Sequence, residues 1–372
     1  MIQAKRIEAF VCRAPIATPV QTSFGIMFDR PALFVRVTDA DDVQGWGEAW
    51  CNFPSVGAEH RARLIESVFA PLLLGKVFAA PSDAFDALVR QTEVLAIQCA
   101  EPGPIAQCIA GLDIALWDLY ARRLGQPLWR LLGGKRPQVR VYASGLNPQA
   151  PELLAADRLG QGDRAFKLKV GFDRQRDLAN LQVLRKTVGA CALMVDANQA
   201  WDLTTALEMA QRMAPFELQW IEEPLRADQP WNIWQALAQR SSVALAAGEN
   251  IAGVEAFAQA LQAKAIGVVQ PDIAKWGGFS GGVLVAKSIL EAGLRWCPHY
   301  LGGGVGLLAS AHLLAAIGGD GMLEVDANPN PLRSMTCGSL NAVVEGYVSL
   351  GEAPGLGYTP DLQALREFRR NF

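Results

Sequence analysis

Seven side chains able to carry charge or move a proton recur through the second half of the chain at nearly constant spacing. They are Lys169, Asp196, Glu222, Glu249, Asp272, His299 and Glu324, separated by 27, 26, 27, 23, 27 and 25 positions. A strand–helix–strand unit takes roughly 30 residues, so the spacing reads as one such group closing each successive strand. Asp196, Glu222 and Glu249 are carboxylates on consecutive units. Clustered without a counter-charge they would repel and take up protons, and a hard divalent cation removes that penalty by accepting oxygen ligands. Mg²⁺ fits best, because it tolerates a partly hydrated site held by few carboxylates and leaves positions for substrate oxygens; Mn²⁺ is the expected substitute. Within Glu222-Glu223 the spacing does not choose the ligand, since adjacent strand residues face opposite ways.

Groups that could move protons flank these acids. Lys167-Leu168-Lys169 has period-two spacing, which points both ammonium groups to one side of a strand. A lysine near another cation and a metal has its charged form disfavoured, which lowers its pKa and makes it usable as a base. Asp272 and His299 fall on neighbouring units across the ring, where the aspartate can orient the imidazole and support its protonated form. The chain has only two other histidines, His60 and His312. Both sit in helix-patterned segments, where a packed or solvated side chain is the ordinary reading.

Positioning these groups requires a repeating scaffold. Short apolar runs occur at Val139–Ala143, Ala165–Val170, Ala192–Val195, Leu218–Ile221, Val243–Ala247, Ile266–Val269, Leu294–Cys297 and Met322–Val325. Between them lie segments with an apolar face at helical spacing, such as Leu178–Leu184 and Thr205–Ala210. Eight strand–helix repeats predict an α/β fold of the (β/α)₈ barrel type, whose functional residues emerge at the C-terminal ends of the strands. A doubly wound open sheet is the competing architecture. The N-terminal part reads differently. Ile2–Val11, Ala32–Thr38 and Val43–Glu48, with a turn at Asp39–Asp42, predict an antiparallel meander, and helical periodicity follows over His60–Leu74, Ala84–Ala96 and Pro104–Leu124. The loop Leu132–Pro137 marks a boundary, which gives an α+β module over residues 1–130 and a barrel over 131–345.

Composition narrows the function classes. With 34 basic and 37 acidic residues, a net charge of −3 and 51% hydrophobic residues, the chain can bury a large core and lacks the basic character of a nucleic-acid binder. No apolar window has the length of a membrane span, and the opening MIQAKRIEAF lacks a signal-peptide layout, so no membrane partner and a cytoplasmic location are expected. Seven scattered cysteines without a C-x-x-C pair fit buried thiols better than disulfides or zinc. The stretches Gly277–Gly282 and Gly302–Gly306 carry neither dinucleotide nor P-loop spacing; they read as close-packing helix starts.

Taken together with Gly111-Leu112-Asp113-Ile114-Ala115-Leu116-Trp117-Asp118, Asp196-Ala197-Asn198, Glu222-Glu223-Pro224, Gly248-Glu249-Asn250 and Pro271-Asp272 with Lys275-Trp276-Gly277-Gly278, these residues resemble the enolase superfamily, and within it the mandelate racemase subgroup. The resemblance covers almost the whole chain. It implies an N-terminal capping domain, closed by a C-terminal tail (346–372), over a modified barrel. It further implies that Asp196, Glu222 and Glu249 bind Mg²⁺, the first glutamate of the pair being the ligand. Muconate-lactonising-type members carry a lysine at the position of Asp272, and the Lys-x-Lys motif argues against mannonate-dehydratase-like and enolase-like members. A small carboxylate would chelate the metal, with Lys167 and Glu324 stabilising the enediolate formed on α-proton loss and Lys169 and His299 standing on its opposite faces. Most members with this set dehydrate aldonic or aldaric acids, so a sugar-acid dehydratase yielding a 2-keto-3-deoxy acid is expected. The same set also permits a racemase or epimerase of a 2-hydroxy acid or amino-acid derivative. A catalytically silent metal-binding barrel is disfavoured, because charges kept without a task cost stability. The segments 18–30 and 50–57 are expected to reach the barrel mouth, with Asn198 and Ser144 as further substrate contacts, and the family likeness implies a symmetric homo-oligomer.

Overall fold

The computed structural model describes residues 1–23 and 25–372. The N-terminal domain opens with an antiparallel meander of β1 (Ile2–Gln21), β2 (Ile26–Asp39) and β3 (Gln44–Ala49), in which Phe10 pairs with Phe34 and Val35 with Gly47. One face of this sheet is buried under α1 (Gly57–Leu64), α2 (Ala70–Leu73), α3 (Pro81–Gln98) and α4 (Pro102–Arg123), with β4 (Val77–Phe78) paired to β1, and the other face gives Phe10, Phe34 and Trp46 to the core continuous with the barrel. The short α5 (Leu128–Leu131) leads out of this domain. Segment 18–30 is mostly hairpin, because β1 continues to Gln21 and β2 resumes at Ile26 across a register shift between Pro15 and Val20. Phe24, inside that segment, lies outside the described residues.

The second domain is a modified (β/α)₈ barrel. Its strands are β5 (Gln138–Leu146), β6 (Ala165–Lys169), β7 (Ala192–Asp196), β8 (Ile221–Glu222), β9 (Leu245–Ala247), β10 (Val268–Val269), β11 (Arg295–Trp296) and β12 (Leu323–Asp326). Intervening helices are α6 (Pro151–Gly160), α7 (Arg174–Val188), α8 (Leu203–Met213), α9 (Trp231–Ala238), α10 (Val254–Ala263), α11 (Gly278–Glu291) and α12 (Gly304–Ile317), followed by α13 (Pro331–Ser334). The parallel ladder runs β11-β10-β9-β8-β7-β6-β5-β12. Among the described residues no ladder joins β11 to β12; side-chain bonds bridge that seam, including Met322 N–H to Cys297 Sγ (3.4 Å). No helix is long and apolar enough to cross a membrane among the described residues.

The C-terminal tail serves both domains. Beyond the barrel, β13 (Tyr347–Ser349) pairs antiparallel with barrel strand β5, and β14 (Arg369–Arg370) pairs with β1 of the capping sheet. The tail therefore packs on the barrel as well as on the capping domain, because β5 offers its Gln138–Arg140 edge below the parallel ladder.

Inside the barrel one layer explains where the site must lie. Tyr142, Ala165, Met194, Trp220, Ala246, Val268, Cys297 and Met322 form a buried cluster, one member in or directly beside each of the eight strands. Side chains two positions on face the same way. Those positions are Ser144, Lys167, Asp196, Glu222, Gly248, Gln270, His299 and Glu324, so the polar ring sits one step above the apolar layer.

Candidate active site

The strand register brings the expected residues side by side. Lys169 pairs with Asp196, and Asp196 with Glu222, in the parallel ladder. Lys167, fully buried, sits at the centre of the ring with its Nζ 2.6 Å from Glu222, 2.7 Å from Glu324 and 3.9 Å from Asp196. Burial works to lower this ammonium, but Glu222 and Glu324 outweigh it and hold its pKa well above the ordinary value. Glu324 is pushed down to about 2: burial opposes its charge, and Lys167 and His299 overcome that.

Across the ring, His299 is held at both nitrogens. Its Nδ1 lies 2.7 Å from Asp272 Oδ2 and its Nε2 2.7 Å from Glu249 Oε2. Asp272 is itself fixed by the amides of Ala274 and Lys275. Burial disfavours the imidazolium, yet Glu249, Glu324 and the Asp272 hydrogen bond raise its pKa well above 6.5. Lys169, closing β6, donates to Asp196 Oδ2 (2.6 Å) and Asn198 Oδ1 (2.8 Å). Its pKa is raised, not lowered as the sequence reading expects: burial acts downward, but the Asp196 carboxylate beside it is stronger. The sequence expectation places the amine near a metal as well as near another cation.

Lys169 and His299 both line one cavity of about 240 Å³ between the barrel mouth and the capping domain, together with Asn198, Gln199, Glu249, Asn250 and Lys275. The capping side contributes Thr22, Trp50, Asn52 and Phe53, and Leu301 completes the wall. Trp50 is set by its backbone N–H on Ala274 O (3.2 Å), and its ring lies 4.8 Å from the Lys275 ammonium. Asn198, with φ +43°, turns its amide back onto Asp196 and receives Ser23 Oγ from the capping hairpin at its carbonyl (2.5 Å). Ser144, expected as a substrate contact, instead donates to Glu324 Oε1 (2.5 Å) and does not line the cavity. Being in the inward row but one strand from Glu324, it finds the carboxylate first.

The carboxylates do not form a closed cage. Among the described residues no three His, Cys, Asp or Glu side chains stand close enough to clasp a cation. Each acid has turned to a cationic neighbour: Asp196 to Lys169, Glu222 to Lys167, and Glu249 to His299 and Lys275. Burying these charges unpaired would cost several kcal/mol each, so such pairing is what the site must adopt when it holds only its own side chains. The donor set nevertheless fits a hard divalent ion. It is all oxygen, and it contains one member the spacing argument could not place. Glu223 has φ +37°, which breaks the strand alternation and turns this residue inward beside Glu222. It is 2% exposed, its Oε2 has no hydrogen-bond partner, and burial together with Glu249 and Asp196 pushes it up to about 8. These four carboxyl groups stand at the ends of three adjacent strands, and the orphaned oxygen of Glu223 is an acceptor that a hard cation would satisfy.

Sequence reading missed several of these participants. Gln270, whose Nε2 donates to Glu222 Oε2 (2.5 Å), occupies the inward row two residues after Val268 and was legible by period alone. Asn250 and Gln199 adjoin singled-out residues, but only the folded loops show that they line the cavity.

Two family descriptions account for nearly all of the chain. "Mandelate racemase / muconate lactonizing enzyme, N-terminal domain" matches residues 6–133, and "Enolase C-terminal domain-like" matches 152–364. The chain belongs to the mandelate racemase/muconate lactonizing enzyme group of the enolase superfamily. Among solved members, a mandelate racemase/muconate lactonizing enzyme from Bordetella bronchiseptica RB50 is 57% identical with a TM-score of 0.94, over 98% of this chain and 99% of that one. L-Talarate dehydratase from Polaromonas sp. JS666, complexed with Mg and L-glucarate, is 28% identical with a TM-score of 0.83, over 100% and 98%. D-Galactarolactone cycloisomerase of Agrobacterium fabrum is 31% identical over 95% of both chains. Members of the superfamily at comparable similarity thus include dehydratases, cycloisomerases and epimerases or racemases.

Proposed function

We propose that this protein removes the α-proton of a small carboxylate to give an enediolate, and that the reaction is completed by dehydration of a sugar acid to a 2-keto-3-deoxy acid. The observation that carries the reading is that Lys169 and His299 line one cavity, with His299 Nδ1 2.7 Å from Asp272 Oδ2 and its pKa raised by Glu249, Glu324 and that hydrogen bond. Mg²⁺, with Mn²⁺ as substitute, would be held by Asp196, Glu222 and Glu249 and supplies positive charge for the substrate carboxylate. Lys167 sits between Glu222 and Glu324 as a permanent cation and steadies negative charge that develops on the carboxylate oxygens. Lys169, in its neutral amine form, takes the α-proton on its lone pair and becomes the ammonium; Asn198 Oδ1, 2.8 Å from Nζ, orients the amine for the transfer. His299, protonated and oriented, gives its proton to the departing β-hydroxyl, which leaves as water. Asn52, Asn250 and Gln199 furnish polar groups at the cavity wall.

The same geometry supports a second outcome, delivery of the His299 proton to the α-carbon with inversion. Trp50, Phe53 and Leu301 favour it, since an aromatic and aliphatic wall suits a 2-hydroxy acid or amino-acid derivative with an apolar side chain better than a polyol. A panel of sugar acids, hydroxy acids and N-acyl amino acids incubated with Mg²⁺ in deuterated water separates the two. A 2-keto product marks dehydration; deuterium at the α-carbon with optical inversion marks racemisation. Exchange of no α-proton in any of these acids would overturn both. Independently of turnover, Mg²⁺ is expected to raise Tm, and the rise should vanish in Asp196→Asn and Glu249→Gln.

A further inference from the structure

The glycine-rich stretch Gly302-Gly303-Gly304-Val305-Gly306 follows closely after His299 and opens α12. Helix starts of this kind present free amides to an acceptor, and here the acceptor is a carboxyl group of the capping domain. Glu48, near the end of β3 and 2% exposed, accepts from Gly303 N–H (2.5 Å) through Oε1 and from Gly306 N–H (2.8 Å) through Oε2. A Cβ on Gly303 would lie 2.7 and 3.0 Å from those two oxygens, so only a bare backbone admits the carboxylate. Four residues along the same strand and loop, Asn52 donates Nδ2 to Leu301 O (2.7 Å). The capping domain thus grips residues 301–306 through both their donors and an acceptor.

This grip adds to the barrel's own hold on the segment, where Gly304 N–H donates to Thr336 Oγ1 (2.8 Å) and Asn330 Nδ2 donates to Gly302 O (2.8 Å). Strand β11 comprises only Arg295 and Trp296 and has a ladder on one side only, because the sheet opens between β11 and β12 among the described residues. His299 follows that strand with its N–H on Pro271 O (3.2 Å), and Tyr300 N–H reaches Glu324 Oε2 (3.2 Å). Beyond them, the capping domain's carboxyl anchor on the segment is Glu48.

We propose that Glu48 is a positioning residue for His299: by seating in the 302–306 stretch it lets the capping domain set where the imidazole stands relative to Lys169. Glu48, Trp50, Asn52 and Phe53 lie on one short piece of chain, so the wall that encloses a substrate and the anchor that places the acid move together. The placement rests on contacts alone; its kinetic consequence rests on the reading of His299 as proton donor.

Imidazole ring resonances test the two halves separately. The chain has three histidines, and His299→Asn identifies the His299 signals in ring-¹⁵N-labelled protein. Glu48→Gln keeps the shape but must set an amide N–H₂ against one of two N–H donors. It is expected to move the His299 ring cross-peaks while those of His60, and of His312 further along α12, stay in place and Tm changes little. With a substrate from the activity panel, kcat should fall about tenfold or more at unchanged KM. Gly303→Ala, which crowds the carboxylate from the other side, should reproduce both effects. Unmoved His299 signals in folded Glu48→Gln overturn the proposal, as does a shift of His299 and His312 together. Failure of both variants to fold overturns it too, since Glu48 would then be a folding determinant. Moved signals with kcat unchanged would leave the anchoring intact and remove His299 from the reaction, which strikes at the functional reading instead.

Discussion

At the scale of single residues, the site is a set of charges that would be intolerable apart. Lys167 touches two carboxylates, His299 two, and Lys169 one, and each partner is buried or nearly so. The two proton-moving groups are expected to be separable from the fold. Lys169→Ala and His299→Asn should each lower turnover at least ~10²–10⁴-fold while circular dichroism and Mg²⁺ binding stay near wild type; undiminished turnover in either removes that residue from the mechanism. Glu324 makes a pH prediction. Its carboxyl is depressed from 4.5 to about 2, so its contribution to stability is fully present above pH 4.5 and is lost as the pH falls through about 2. Urea unfolding between those values should show wild-type stability falling more steeply with acid than that of Glu324→Gln.

Elements bring these residues together by close approach more than by length. Helix α4 lies directly on β3, and the motif beginning at Gly111 shows why. A Cβ on Gly47 would lie 2.0 Å from Gly111 O, and one on Gly111 would lie 2.9 Å from Ala49 Cβ. Backbone, not a movable side chain, blocks the added atom. Gly47→Ala is therefore expected to cost about 2 kcal/mol or more, read as a lowered urea midpoint. Gly103→Ala, in the same helix but with only Gln107 Nε2 at 3.9 Å, should be neutral or stabilising by up to roughly 1 kcal/mol. In the barrel, Gly248 has φ +149° and a Cβ there would meet Gln270 N at 2.6 Å, so the inward row has no side chain on β9 and Glu249 follows at the mouth.

Across the whole molecule, buried polar contacts hold the capping domain on the barrel and bring the tail back to it. Asp113 accepts from the Ser280 hydroxyl and amide, and Arg30 pairs with Asp326 beyond the mouth. Asp118 is the broadest of these joints: fully buried, it accepts from Trp46 N–H in β3, Leu356 N–H in the tail and Arg122. Asp118→Ala should cost about 3–5 kcal/mol, because it strands two buried amides and a guanidinium at once. Limited proteolysis should then cut first in the tail after Leu350. Equal protection of the tail in wild type and variant would show that Asp118 does not hold it.

Much of this could be read along the chain, and the reason is that strand alternation is local. An apolar residue of the inner layer followed two positions later by a charged one marks Met194 and Asp196, Trp220 and Glu222, Cys297 and His299, and Met322 and Glu324. Repeated at the length of a strand–helix unit, that pattern determined the barrel, the ring of groups and the Asp272–His299 pairing of neighbours. What it could not determine depends on distances between strands and on backbone that leaves the regular β conformation. The positive φ of Glu223 brings a second glutamate inward, Ser144 reaches Glu324 across a ladder, and the raised pKa of Lys169 follows from where Asp196 turns. Glu48 is the clearest case. It lies 255 positions from Gly303, and only the docking of one domain on the other gives its carboxyl group those two amides.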